Sequence, residues 1–167
     1  MMLESIAITL AIIAVYWVYL TWRRLSRDWR PAELKAGKVV IIEKDLRMDS
    51  PYPVIGRPDQ VYQLENGLHV PLESKNRNTY QVFETDIAQL SLQAWLLRHN
   101  GMPTANYGFV AINNRQTGKR RAIRVQLMGE EECSRLVERY LNVIECRVLP
   151  EKNYGHKCKS CGHQMIC

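Results

Sequence analysis

The chain has 167 residues, 46% hydrophobic and 24% charged, and 23 Lys and Arg against 17 Asp and Glu give a net charge of +6. This composition excludes a disordered tail, a collagen-like repeat and a low-complexity protein, and the length accommodates one packed domain plus an appendage. The positive surplus fits an anionic partner, with lipid head groups and nucleic acid equally eligible on charge alone.

From Ser5 to Trp22 every residue is uncharged and most are apolar. As a helix this run extends about 27 Å, enough to cross the hydrocarbon core of a bilayer. Tyr16, Trp17, Tyr19 and Trp22 gather at one end, and Arg23, Arg24, Arg27 and Arg30 follow. That is the pattern of an aromatic belt with basic residues held on the cytoplasmic side. Glu4, rather than a basic residue, precedes the run, which speaks against a cleaved signal peptide. The expectation is a single-pass anchor over residues 1–22 in the cell membrane, with the rest of the chain cytoplasmic. The alternative is a buried helix of a soluble core. Residues 23–36, with their arginines and Pro31, read as a basic juxtamembrane linker.

The folded domain is expected over 37–150, followed by a cysteine-rich tail over 151–167, and no internal repeat is visible. Lys38–Ile42 is a β-branched run, Gln60–Leu64 and Leu68–Lys75 flank a turn, and Tyr107–Asn113 with Arg120–Met128 form a second pair around Thr117-Gly118. Apolar spacing predicts a helix from Thr85 or Asp86 to His99, stopped by Asn100-Gly101 and Pro103, and another from near Glu130. Cys133 keeps the helical spacing of Val137, Tyr140 and Leu141, which makes it a core residue rather than a ligand. The order strand, hairpin, helix, hairpin, helix is that of an α/β domain with a mixed sheet.

Loop length decides which hairpin side chains share a face. A three-residue loop, Glu65-Asn66-Gly67 with Gly67 left-handed, sets Asp59 opposite Glu73. Tyr62, Leu64, Leu68, Val70 and Leu72 then make an apolar face, while Asp59, Gln63, His69, Glu73 and Lys75 share the other. Two carboxylates that close need a cation between them, and their oxygen ligands suit Mg²⁺ or Mn²⁺. Lys75 can then serve water activated at the ion. A solvated hairpin face with cross-strand ion pairs is the competing reading.

Gly56-Arg57-Pro58-Asp59, an intervening strand, and Pro71-Leu72-Glu73-Ser74-Lys75 resemble the two core motifs of the PD-(D/E)xK nuclease superfamily, in the form of RecB-like nucleases and CRISPR-associated RecB-like exonucleases. The resemblance continues in Gln89-Leu90-Ser91-Leu92-Gln93, similar to a helix with Gln followed four residues later by Tyr, and in Asn106-Tyr107-Gly108-Phe109-Val110, similar to the next strand. It implies a restriction-endonuclease-like mixed sheet flanked by helices, with Asp59 and Glu73 as metal ligands, Lys75 on the attacking water and Gln89 positioning the substrate backbone. The family places a metal-binding His upstream of the Asp motif. Here the first histidine is His69, which leaves Glu33 or Glu43 as stand-ins. Gln93 occupies the place of the helix Tyr.

Cys158-Lys159-Ser160-Cys161 with Cys167 resembles the three carboxy-terminal cysteines that hold an iron–sulfur cluster in those exonucleases. Read from the residues alone, a Cys-x₂-Cys turn followed by Gly162 presents two thiolates to one metal, and Cys167 with His156 or His163 completes a zinc tetrahedron. Iron–sulfur would need a fourth ligand such as Cys133 or Cys146. Arg115, Lys119, Arg120, Arg121 and Arg124 could track a phosphate backbone or simply solvate a strand edge. Two functions emerge: a membrane-anchored, metal-dependent DNA nuclease, exonuclease before endonuclease, or an inactive membrane-tethered module that binds nucleic acid or protein.

Overall fold

The computed structural model describes residues 2–26, 28–151, 154–162 and 164–166; the side chains of 2–9, 23–26, 156–157 and 166 lie outside the description. In chain order the elements are α1 (Met2–Ser26), α2 (Ala32–Ala36), β1 (Lys38–Ile42), β2 (Leu46–Met48), β3 (Val54–Gly56), β4 (Gln60–Gln63), β5 (His69–Arg77), α3 (Glu84–His99), β6 (Tyr107–Asn114), β7 (Arg120–Gln126) and α4 (Glu130–Ile144). Two short 3₁₀ turns, His156–Ser160 and Gln164–Ile166, end the described chain.

Five strands form one mixed sheet in the order β1-β4-β5-β6-β7. The only parallel pair within it is β5 with β6, and α3 makes the crossover that a parallel pair requires. Both faces of the sheet are covered. Tyr62, Val70, Leu72 and Phe109 pack on one side beneath Leu34 of α2 and Trp29. Val61 on the other side joins Trp95, Leu96 and Leu97 of α3 and Cys133 and Val137 of α4. Gly108 is needed where β6 meets β5, because a Cβ there would lie 3.0 Å from the Pro71 carbonyl oxygen.

The uninterrupted β-branched sequence of β1 is explained by a bulge between Val39 and Ile41, which pair with Tyr62 and Val61 respectively. In a regular strand residues two apart share a face. The extra residue, Val40, turns Ile41 toward the α3 side while Val39 packs on the α2 side.

Several sequence expectations are corrected. Within residues 23–36, read as a basic juxtamembrane linker, α1 continues to Ser26 and the short α2 follows at Ala32. The polar face of the hairpin is not uniformly solvated, because Val61, His69, Pro71 and Glu73 are buried while Gln63 is exposed and Asp59 and Lys75 are partly buried. The β2–β3 ribbon was invisible to the pattern, since three-residue strands show no alternation. Among the described residues no helix is long and apolar enough to cross a membrane, so the span expected over 1–22 has no structural support. Arg23 and Arg24 have side chains outside the described residues, and Arg27 lies outside them entirely.

Candidate active site

The turn places the first carboxylates. Gly67 takes φ +83°, and the Leu64 N–H bonds the Leu68 carbonyl at 2.9 Å. Gln60 thereby pairs with Leu72 and Gln63 with His69, which extends to Asp59 opposite Glu73. Asp59 is partly buried, and its Oδ2 accepts the Ser74 N–H at 2.7 Å. That bond fixes the aspartate against the strand that carries the glutamate.

Helix α3 completes the site, and its placement is built into the chain. At the end of β5, Arg77 donates two hydrogen bonds of 2.6 Å to Asp86, while Asp86 accepts the Phe83 N–H at 2.9 Å and so caps the helix start. The Arg77 guanidinium also lies 4.6 Å from the Phe83 ring centroid. Burial pushes the Asp86 carboxyl up, but the hydrogen bonds from Arg77 and Phe83 outweigh it and hold the group below the ordinary carboxylate range. With strand and helix locked there, α3 runs back along β5.

Two spacings then match. Glu73 and Lys75 are two residues apart on a strand, about 6.6 Å, and Gln89 and Gln93 are four apart on a helix, about 6 Å. The result is two rungs: Lys75 Nζ donates to Gln89 Oε1 at 2.8 Å, and Gln93 Nε2 donates to Glu73 Oε2 at 3.0 Å. A third bond joins them, from Lys75 Nζ to Glu73 Oε1 at 2.8 Å. Glu73 is only 4% exposed, so a buried carboxylate is held between an ammonium and an amide. On the opposite face, Arg120 Nη2 donates to Ser74 Oγ at 2.9 Å and its guanidinium stacks 3.7 Å from the Trp29 ring centroid. Burial lowers the Arg120 pKa, with Tyr62 and Asp59 pulling the other way.

Of the residues expected at the centre, Glu73, Lys75 and Gln89 are joined by direct hydrogen bonds, Asp59 stands at the facing strand position with its carboxylate on the Ser74 N–H, and Gln93 joins Glu73 as a buried contact that its sequence position alone did not assign. The stand-ins for an upstream ligand do not converge in the same way. Glu33 accepts the Tyr107 hydroxyl at 2.8 Å beside Arg124, with the α2-side residues. Glu43 has an exposed side chain, although its N–H bonds the Pro58 and Asp59 carbonyls at 3.1 and 3.2 Å and its φ is +45°. Among the described residues no group of three or more His, Cys, Asp and Glu gathers as a metal site. The oxygens on offer are the carboxylates of Asp59 and Glu73, at facing strand positions, and, on the amide touching Glu73, the buried Gln93 Oε1, which has no hydrogen-bond partner. An all-oxygen set with one acceptor unused fits a small hard cation such as Mg²⁺ or Mn²⁺.

A model of the PD-(D/E)XK nuclease superfamily matches residues 6–167. The chain belongs to this superfamily. The match starts within α1, so that helix is part of the matched stretch rather than an addition ahead of it. The crystal structure of SSO0001 is similar at 19% identity and a TM-score of 0.51, over 94% of this chain and 70% of that one. At that identity the likeness concerns the fold. Among curated proteins no match is found.

Among the described residues the carboxy-terminal cysteines gather no metal site. Cys158 is partly buried and its Sγ accepts the Gly155 N–H at 3.3 Å, and Cys161 is exposed at the end of the same 3₁₀ turn. Cys167 and His163 lie outside the described residues, as does the side chain of His156. Cys133 is fully buried in the core, where burial pushes its thiol up to about 11 and it packs with Trp95, Leu96 and Val137.

Proposed function

We propose that this superfamily member is a divalent-metal-dependent deoxyribonuclease that hydrolyses phosphodiester bonds, acting as an exonuclease. The observation that carries the reading is Asp59 held against β5 opposite a buried Glu73, whose carboxylate is shared by Lys75 and Gln93. Asp59 and Glu73 would hold the ion, which supplies Lewis-acid stabilisation of charge on the phosphoryl group and makes water a better nucleophile. Glu73 contributes a carboxylate that cannot swing away, because both oxygens are engaged. Lys75, a quarter exposed, keeps donor capacity beyond its bonds to Glu73 and Gln89 and presents it to the incoming water or phosphate. Gln89 holds that ammonium at the rim of the site.

The test is cleavage of end-labelled linear and closed circular DNA in Mg²⁺, Mn²⁺ or EDTA. Wild-type protein should degrade linear DNA only with metal, and Asp59→Ala and Glu73→Ala should lose the activity while staying folded. Retained cleavage in either variant overturns the assignment. One observation favours a second reading, a binding module on the same fold: among the described residues no group of three or more His, Cys, Asp and Glu gathers as a metal site. That module would bind DNA with equal affinity in EDTA and never cut it.

We further propose that α1 attaches the domain to a lipid bilayer, as a single-pass anchor with the domain cytoplasmic. Leu10, Ile12, Ile13, Val15, Trp17 and Val18 are each 50% exposed or more and point around the whole helix rather than to one side. A helix apolar on all sides needs a nonaqueous partner. Flotation with liposomes should carry the full chain upward and leave a variant lacking 1–22 behind. Release by carbonate would limit the attachment to the membrane surface.

A further inference from the structure

In the catalytic reading Gln93 only holds Glu73 through its amide N–H, yet the residue is 4% exposed and its other end also lies buried at the centre. Its Nε2 donates to Glu73 Oε2 at 3.0 Å, and its Oε1 is buried with no partner. An unpaired buried acceptor has lost its water without regaining a donor, so it destabilises the fold unless a donor arrives from elsewhere. The amide cannot simply rotate to repair this, because the flipped group would set an oxygen against a carboxylate oxygen. Lys75 is already committed to Glu73 Oε1 and Gln89. Among the described residues, then, the metal-free site is one hydrogen-bond donor short, on the amide beside the glutamate.

We propose that Gln93 is a positioning residue for the divalent ion, orienting Glu73 through Nε2 and accepting through Oε1 a hydrogen bond from a water that enters with the ion. This rests on the reading of Asp59 and Glu73 as metal ligands. A small hydrated cation brings donors of the kind the orphaned oxygen lacks, and hydrogen bonds to a ligating carboxylate fix its orientation. The two ends of one amide thereby couple the carboxylate to the hydration of the ion. Gln89 has no such role, because its Oε1 is satisfied by Lys75.

The experiment titrates Mn²⁺ into the full-length protein without DNA, by calorimetry and by the rise in melting temperature, for wild type, Gln93→Leu and Gln93→Met. Removing a partner that orients a metal ligand typically weakens metal binding about 10- to 100-fold. Both variants should show that loss and a smaller melting shift at fixed Mn²⁺. In cleavage assays the half-saturating Mg²⁺ should rise by a similar factor while the rate at saturating Mg²⁺ stays close to wild type. A merely structural role moves the metal-free melting temperature or the saturated rate and leaves metal affinity alone; that result overturns the proposal, as does wild-type affinity in both variants. If Gln93→Leu does not fold, the closer fit of Gln93→Met decides. If wild-type protein binds no Mn²⁺ at all, the metal reading of Asp59 and Glu73 fails, an outcome distinct from failure at Gln93.

Discussion

Lys75 and Glu73 illustrate how little of a side chain's environment is local. The alternation around Gly67 is enough to place Asp59 opposite Glu73, because the turn and the apolar residues of both strands agree on one register. Nothing nearby in the sequence tells that Glu73 is buried, since the cover comes from α3, whose last turn lies more than twenty residues further on. Burial changes what substitution does. Lys75→Met leaves a buried carboxylate with only Gln93 as partner, and loss of a charged hydrogen bond at such a site costs about 1–3 kcal/mol. The variant should therefore unfold at lower urea concentration in EDTA and recover part of the loss in Mg²⁺, because the ion replaces the missing positive charge. Equal destabilisation with and without Mg²⁺ would argue that the carboxylate never meets a cation other than lysine.

At the scale of elements, the join between β5 and α3 sets the site, and the Arg77–Asp86 pair is its fastening. Asp86→Ala leaves a mostly buried guanidinium unpaired and removes the cap of the Phe83 N–H, a loss of about 3 kcal/mol. Since the folded-state pKa of Asp86 is depressed, its contribution is complete above the unfolded value near about 3.9 and disappears as pH falls through the lower folded value. Urea midpoints of wild type should therefore drop below about pH 4, and Asp86→Asn should show a shallower acid slope. The long periodic elements were legible: β1, α3, β6 and α4 lie within a residue or two of their sequence expectations. The β2–β3 ribbon and α2 are too short to carry a period, and tertiary packing holds them: Leu46 and Met48 of the ribbon against α3, Leu34 of α2 on the sheet face. The tail carries no comparable packing. In native protein at pH 8, iodoacetamide should modify Cys146 and Cys161 rapidly and leave Cys133 intact, because its buried thiol stays protonated. Protection of Cys158 and Cys161 together, with zinc or iron by elemental analysis, would establish a metal in the tail.

Across the whole molecule, the sheet separates two apolar layers of unequal thickness: α3 and α4 on one side, α2 and Trp29 on the other. The thin layer alone has too little buried surface to persist as an independent unit. The bulge in β1 bears on this, because Val39 and Ile41 feed opposite layers from a single edge strand. Loss of that strand withdraws a branched side chain from both clusters at once, which should make the two layers melt together. Trp29 lies in one and Trp95 in the other, so each face carries its own fluorescent reporter. Difference signals from Trp29→Phe and Trp95→Phe should give one common denaturant midpoint in the parent protein. Deleting Val40 leaves Val39 and Ile41 adjacent, still opposite Tyr62 and Val61 and so still on opposite faces, and the two reporters should keep one midpoint. Val39→Asp instead strikes the thin layer alone, and the reporters should then part, with Trp29 released first from a sheet still held by α3.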